Sequence, residues 1–253
     1  MALPRIYNYR PDIPDHNDYR FSNIRQFETS ALPRHYSIFK HAPPVVDQGN
    51  LGSCTANAIA SCVYYDLKQS AALEDFQPSR LFIYYQERFL QGTVDSDSGA
   101  SVRIGMKACH NYGTPHEVLW PYDVSYWRTK PSAFAYEDGL KFLASSYFRL
   151  DNTKLHDLKD CIYQGFPFVF GFSVYESFEK IESDGIMPMP APTEKNLGGH
   201  CVWAGAYNDK RKAFKCRNSW GSDWGINGNF WMPYEFIMNP DYAMDFWTLR
   251  SID

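Results

Sequence analysis

The residues best suited to chemistry in this chain are a cysteine, a histidine and an asparagine that lie far apart in it. Cys54 follows Gly52 and Ser53 and opens the run Thr55-Ala56-Asn57-Ala58. Ala56, Ile59, Ala60, Val63, Tyr64 and Leu67 recur at spacings of three and four, which predicts a helix beginning at Cys54 with Ser53 capping its first turn. A thiol at that point meets unpaired N–H groups and the positive end of the helix dipole, both of which favour the thiolate. A helical cysteine is more often a small packed hydrophobe, so its partners decide the matter.

The partners are suggestive. His200 follows Leu197-Gly198-Gly199 and starts the strand-like run HCVWAGAY, so its imidazole stands at a sheet mouth where a base could reach a helix N-terminus. Asn218 ends the next strand-like run, in Asn218-Ser219-Trp220-Gly221, where its amide oxygen could hold the second imidazole nitrogen and fix the tautomer. Trp220 could shield that bond from water. Gln48 lies in a glycine-containing loop six residues before Cys54. Its amide, joined by the Cys54 backbone N–H, could stabilise the oxyanion of a tetrahedral intermediate.

These groups need a scaffold to bring them together. Beyond the helix at Cys54, a second is expected from about Pro78 to Leu90 and a third from about Ser101 to Asn111, ending at Gly113. After Phe166 the runs FPFVFGFSV, HCVWAGAY, AFKCRNSW, NFWMPYEF and DFWTLRS are short, aromatic and β-branched, as strands are. The first half therefore reads as mainly helical and the second as mainly strand. Residues 1–31 are polar and proline-containing without periodicity, and read as an extended arm over residues 32–253.

Composition narrows the function. An aromatic content of 17% belongs to an ordered domain. A net charge of -4 lacks the basic footprint of a nucleic-acid binder, and no run is apolar enough to be a signal peptide or to span a membrane, so a soluble chain is expected. The cysteines at 54, 62, 109, 161, 201 and 216 include no C-x-x-C pair. Apart from Cys54 they read as buried thiols, Cys201 and Cys216 inside the sheet. The histidines at 16, 35, 41, 110, 116 and 156 show no metal-ligand spacing, and neither metal nor organic cofactor is expected.

Taken together, Asp47-Gln48-Gly49, Gly52-Ser53-Cys54, Gly199-His200, Asn218-Ser219-Trp220-Gly221 and Trp224-Gly225 resemble the papain-like cysteine peptidases, and more closely the bacterial and viral-type members that read G-S-C-T-A-N-A. The resemblance spans roughly residues 32 to 250, from Leu32-Pro33 onward. It implies an α+β fold of two lobes, one helical and one β-barrel-like, with the cleft between them and protein or peptide substrates. It implies Cys54 as nucleophile, His200 as base and then acid, Asn218 as orienter, Gln48 as oxyanion donor and Trp220 as shield. Gly99, Ala100 and Gly199 are expected along the substrate, with Asp97-Ser98-Gly99-Ala100 as the wall whose backbone pairs with it.

Three departures from the family pattern stand out. Thr55 replaces the usual aromatic residue after the nucleophile. Leu51 and Asp97 stand where the family commonly places a disulfide, which fits a reducing compartment. The long helical prodomain typical of the family is replaced by the arm, whose Tyr7 to Pro14 stretch has two readings, a short inhibitory prosegment lying along the cleft or simple packing on the surface. Two other readings use the same residues: an acyltransferase or amidase with the same triad, and a catalytically inactive binding relative.

Overall fold

A computed structural model of the chain describes residues 5–24, 31–70, 76–181 and 183–252. The helices that matter for the site are α1 (Cys54–Gln69), α2 (Arg80–Gln91) and α3 (Val102–Tyr112), followed by α4 (Ala133–Gly139), α5 (Leu155–Tyr163), α6 (Glu176–Glu179) and α7 (Tyr234–Ile237). The strands are β1 (His35–Ser37), β2 (Ala144–Leu150), β3 (Phe168–Tyr175), β4 (Asn196–Asn208), β5 (Ala213–Arg217), β6 (Asn229–Pro233) and β7 (Ala243–Ile252). They form one antiparallel sheet in the order β2-β7-β3-β4-β5-β6, with β1 added to β4.

The three predicted helices occur within a residue or two of their expected ends, and each strand-like run after Phe166 holds a strand. The half-exposed β2 had no clear signal, because its alternation is weak and only its ends are buried. β4 starts at Asn196, so Gly198 and Gly199 belong to the strand that carries His200.

The core explains the helix placement. α1 is buried on nearly every face, and its small residues Ala56, Ala58, Ala60 and Ser61 let β4 and β7 approach closely on one side and α2 and α3 on another. It is the spine on which both lobes rest. The expected Ser53 cap is not made. Its hydroxyl lies 2.5 Å from the Tyr122 hydroxyl and accepts from Asn57 Nδ2 at 3.0 Å. A buried side-chain partner has won over the local backbone. At α2 the cap does form: Ser79 accepts from the Phe82 N–H at 3.2 Å and donates to the Trp120 carbonyl at 2.6 Å.

All six cysteines are buried and free. No described helix is long and apolar enough to cross a membrane.

α3 ends at Gly113, whose φ of 68° and ψ of -163° lie in a region nearly reserved for glycine. A Cβ there would lie 1.7 Å from the Gly139 carbonyl oxygen. Gly113→Ala is therefore expected to cost about 3 kcal/mol through backbone strain and displacement of α4. Thermal unfolding should show this as a fall in Tm of roughly 5–10 °C.

Candidate active site

Two segments distant in sequence are joined by backbone pairing. The Gln48 N–H donates to the Ser219 carbonyl at 2.9 Å, the Gly221 N–H donates to the Val46 carbonyl at 3.0 Å, and Asp47 bridges Trp220. This pairing sets the Gln48 loop, and hence the start of α1, against the turn after β5. Ser219 adds a side-chain link, its hydroxyl donating to Gln48 Oε1 at 2.6 Å. The Gln48 amide nitrogen donates to the Leu51 carbonyl at 2.9 Å, which leaves its second hydrogen for another acceptor.

His200 and Asn218 meet as the sequence predicts. His200 Nε2 donates to Asn218 Oδ1 at 2.8 Å, which leaves Nδ1 as the acceptor nitrogen of the neutral ring. The Ser219 N–H donates to the same oxygen at 2.8 Å and fixes the amide's orientation. Trp220 stacks on His200 with ring centroids 4.9 Å apart and 29° between planes, and Trp224 meets Trp220 edge-on at 5.2 Å. The His200–Asn218 bond is thus enclosed by indole. Among the described residues neither His200 Nδ1 nor Asn218 Nδ2 has a hydrogen-bond partner.

Cys54 begins α1 and is fully buried, as are His200 and Thr55. Its thiol comes near the backbone N–H of Cys201, the neighbour of His200 in β4, so nucleophile and base candidates share one corner. The expected activation of this thiol is not realised in the closed form. Burial pushes its pKa up to about 12, and the buried Glu87 acts in the same sense. The N–H groups of Cys201, Thr55 and Cys54 pull the other way, as a helix start should, but they do not offset the loss of water. Burial likewise pushes His200 down to about 4, with the Arg5 charge assisting and the Asn218 bond opposing. The pair is therefore a neutral thiol and a neutral imidazole.

Thr55, unusual for its position, has a partner. Its hydroxyl donates to Glu87 Oε2 at 2.9 Å, and burial raises that carboxyl to about 8. Asp97 replaces the missing disulfide: both its oxygens accept from the Gly52 N–H at 3.1 Å, and Tyr84 donates to one of them. The wall segment is thereby tied to the nucleophile loop. Sequence reasoning missed these roles of Ser219, Tyr84 and Glu87; a motif position marks only Ser219, whereas Tyr84 and Glu87 look like ordinary α2 residues.

The arm runs through the cleft. Asn8 pairs in parallel with Gly199, the Tyr9 N–H donates to the Gly199 carbonyl at 3.2 Å, and the Arg10 N–H donates to the Ala100 carbonyl at 2.9 Å. A Cβ on Gly99 would lie 1.7 Å from the Asn8 carbonyl oxygen, and one on Gly198 2.7 Å from Tyr7. Gly99, Ala100 and Gly199, predicted to flank a substrate, flank arm residues in this structure. Tyr7 meets His200 edge-on at 6.4 Å, and Arg5 lies over Trp220 at 4.1 Å. Farther along, the Asp12 carboxylate accepts from Trp247 Nε1 at 2.8 Å and the Arg103 N–H at 3.1 Å. Asp18 pairs with Arg103 at 2.5 Å and with Arg149 at 3.0 Å. Residues 1–4 and 25–30 of the predicted arm lie outside the described residues.

The papain family cysteine protease model matches residues 33–238 of the chain. The chain belongs to the papain family of cysteine peptidases. A peptidase C1-like protein of Acanthamoeba polyphaga mimivirus is 43% identical over 217 residues, covering 82% of this chain and 70% of the relative. The crystal structure of xylellain, a cysteine protease from Xylella fastidiosa, covers 100% of both chains with a TM-score of 0.89 and 38% identity. Digestive procathepsin L 3 of Tenebrio molitor shares the fold, with a TM-score of 0.72 and 18% identity over 93% of this chain and 76% of its own. This papain-family peptidase is therefore a hydrolase with the two-lobed α+β fold that the resemblance implied.

The depressed His200 pKa has a direction that can be measured. Between about pH 6.5 and pH 4 the unfolded imidazole holds a proton that the folded one does not. Stability should therefore fall as pH drops through that window, and NMR should show His200 neutral down to about pH 4 in the intact chain. Displacing the arm admits water and should move this pKa upward.

Proposed function

We propose that the peptidase works through Cys54, His200 and Asn218, and that residues 1–31 act as an intramolecular inhibitor. In the open cleft His200 Nδ1 takes the Cys54 proton, and the thiolate attacks the carbonyl carbon of a peptide bond. The tetrahedral oxyanion accepts from the Cys54 N–H and from the free hydrogen of Gln48 Nε2. The C–N bond then breaks, His200 returns its proton to the leaving amine, and a thioester remains on Cys54. Water attacks the thioester, giving its proton to His200, and the collapse releases the acid and restores the thiol. Asn218 keeps the ring aligned throughout, and Trp220 keeps water from their hydrogen bond.

The observation that carries this reading is the bond from His200 Nε2 to Asn218 Oδ1, which leaves the basic Nδ1, unpartnered among the described residues, in the corner shared with Cys54. The inhibitory reading is supported by residues 7–10, which make backbone hydrogen bonds to Ala100 and Gly199 where a substrate strand would lie. It is supported too by the full burial of Cys54 and His200, with Tyr7 of the arm set edge-on against the His200 ring. Substrate proteins are the partners this implies, with no role for nucleic acid, membrane, metal or organic cofactor in the steps.

Intact mass after treatment with an epoxide inactivator of cysteine peptidases tests both claims. The full-length chain should label slowly at neutral pH and Cys54→Ala not at all. Tyr9→Ala, which removes an arm anchor, should label at least about ten-fold faster, since losing a buried aromatic weakens the arm by roughly 1.5–3 kcal/mol. Adding Asn218→Ala to Tyr9→Ala should slow labelling again by about ten-fold or more by freeing the ring. Labelling that persists in Cys54→Ala would sink the nucleophile assignment, and equal rates with and without the Tyr9 anchor would sink the inhibitory role.

A further inference from the structure

One fully buried carboxyl takes no part in the steps above. Glu87 lies in α2, and its Oε2 accepts from the Thr55 hydroxyl at 2.9 Å, one residue beyond Cys54 in the first turn of α1. Its other oxygen, Oε1, has no hydrogen-bond partner among the described residues. Room for that oxygen comes from α3, where a Cβ on Gly105 would stand 2.5 Å from Oε1 and 2.2 Å from the Ile59 side chain. A glycine inside a helix costs about 1 kcal/mol relative to alanine, so α3 is weaker in itself for admitting the carboxyl.

Among the described residues no cation is hydrogen-bonded to this carboxyl. On its own helix the neighbouring Arg88 turns elsewhere, donating to the carbonyls of Tyr84 at 3.2 Å, Val94 at 2.8 Å and Trp127. The titratable groups on the other elements packed around it are thiols: Cys54 on α1, Cys109 on α3 and Cys201 on β4. Burial keeps all three protonated. Burial also holds the Glu87 carboxyl up to about 8, with Thr55 and Arg88 opposing. Arg5 is the one charge among the described residues that bears on His200, so an ionised Glu87 penalises the thiolate without aiding the imidazolium.

Resting on the peptidase reading above, we infer that Glu87 is a positioning residue for the nucleophile: through Thr55 it holds the first turn of α1, and its own charge sets how readily Cys54 yields its proton. A neutral Glu87 leaves the N–H groups at the helix start free to stabilise the thiolate. An ionised Glu87 puts a second negative charge behind the sulfur and opposes them. Thr55, standing where the family pattern has an aromatic residue, supplies the hydroxyl that couples the carboxyl to the nucleophile's turn.

The test is the rate of labelling by an uncharged epoxide, read as intact mass against pH, in full-length chain carrying Tyr9→Ala with and without Glu87→Gln. Glutamine keeps the shape and an acceptor for Thr55 but cannot ionise. The two rates should agree at about pH 6, and the glutamine chain should become about ten-fold faster by about pH 10, as expected for one uncompensated charge close to a buried thiolate. The midpoint of that divergence should lie at about 8. Thr55→Val introduced into both chains removes the donor that favours the carboxylate, and should move the midpoint to higher pH. A rate ratio that does not change with pH, as a merely structural role for Glu87 would give, overturns the inference, and so does a midpoint that Thr55→Val leaves in place. Labelling that survives Cys54→Ala would overturn the peptidase reading and this inference together, whereas a flat ratio with labelling confined to Cys54 overturns this inference alone.

Discussion

The geometry of the site depends on one short stretch of backbone pairing, that of residues 46–48 with residues 219–221. Without it the Gln48 loop and the start of α1 would have no fixed relation to the turn after β5. The pairing is of backbone, and so insensitive to side-chain identity. Side chains then refine it: Ser219 locks Gln48, and its N–H locks the amide that holds His200. The glycines of the two segments follow from this closeness. Gly49 and Gly221 adopt φ values of 62° and 78°, and Gly228, whose carbonyl receives the Asn218 N–H, would meet Val45 at 2.4 Å if it bore a Cβ.

Much of this arrangement was legible because each motif marks a boundary. The 3.6-residue period after Cys54 declares a helix start, the aromatic and β-branched runs declare strands, and Asn218 stands just past the end of β5, whereas His200 lies four residues inside β4 instead of at its start. The family resemblance added which margins face each other, a fact no local pattern contains. What stayed hidden depended on tertiary neighbours. Ser53 resembled an ordinary cap until Tyr122, distant in sequence, supplied a competing partner. Glu87 carries no signal of its own in the sequence, yet it is fully buried and accepts from the Thr55 hydroxyl. The electrostatic state of Cys54 was the largest surprise. A helix start predicts a low thiol pKa, but full burial deprives the thiolate of the water it would need, and burial prevails.

The arm shows how a segment without regular structure can hold a place. Its order comes from three kinds of anchor: backbone hydrogen bonds to the cleft walls, the Tyr9 ring in its recess, and Asp12 and Asp18 against Arg103 and Arg149. The first two lie against β3, β4 and Ala100, whereas the third uses the charge of Arg103 and Arg149.

The clamp of Asp97 on Gly52 and Tyr84 has a practical meaning of its own. It is assembled from a carboxylate, an amide and a phenol, none of which exchanges electrons under ordinary conditions. The six thiols are all buried and uncoupled. Reducing agents strong enough to keep Cys54 from oxidising can therefore be added without loosening the wall beside it. In this molecule the shape of the cleft and the oxidation state of its sulfur are independent variables.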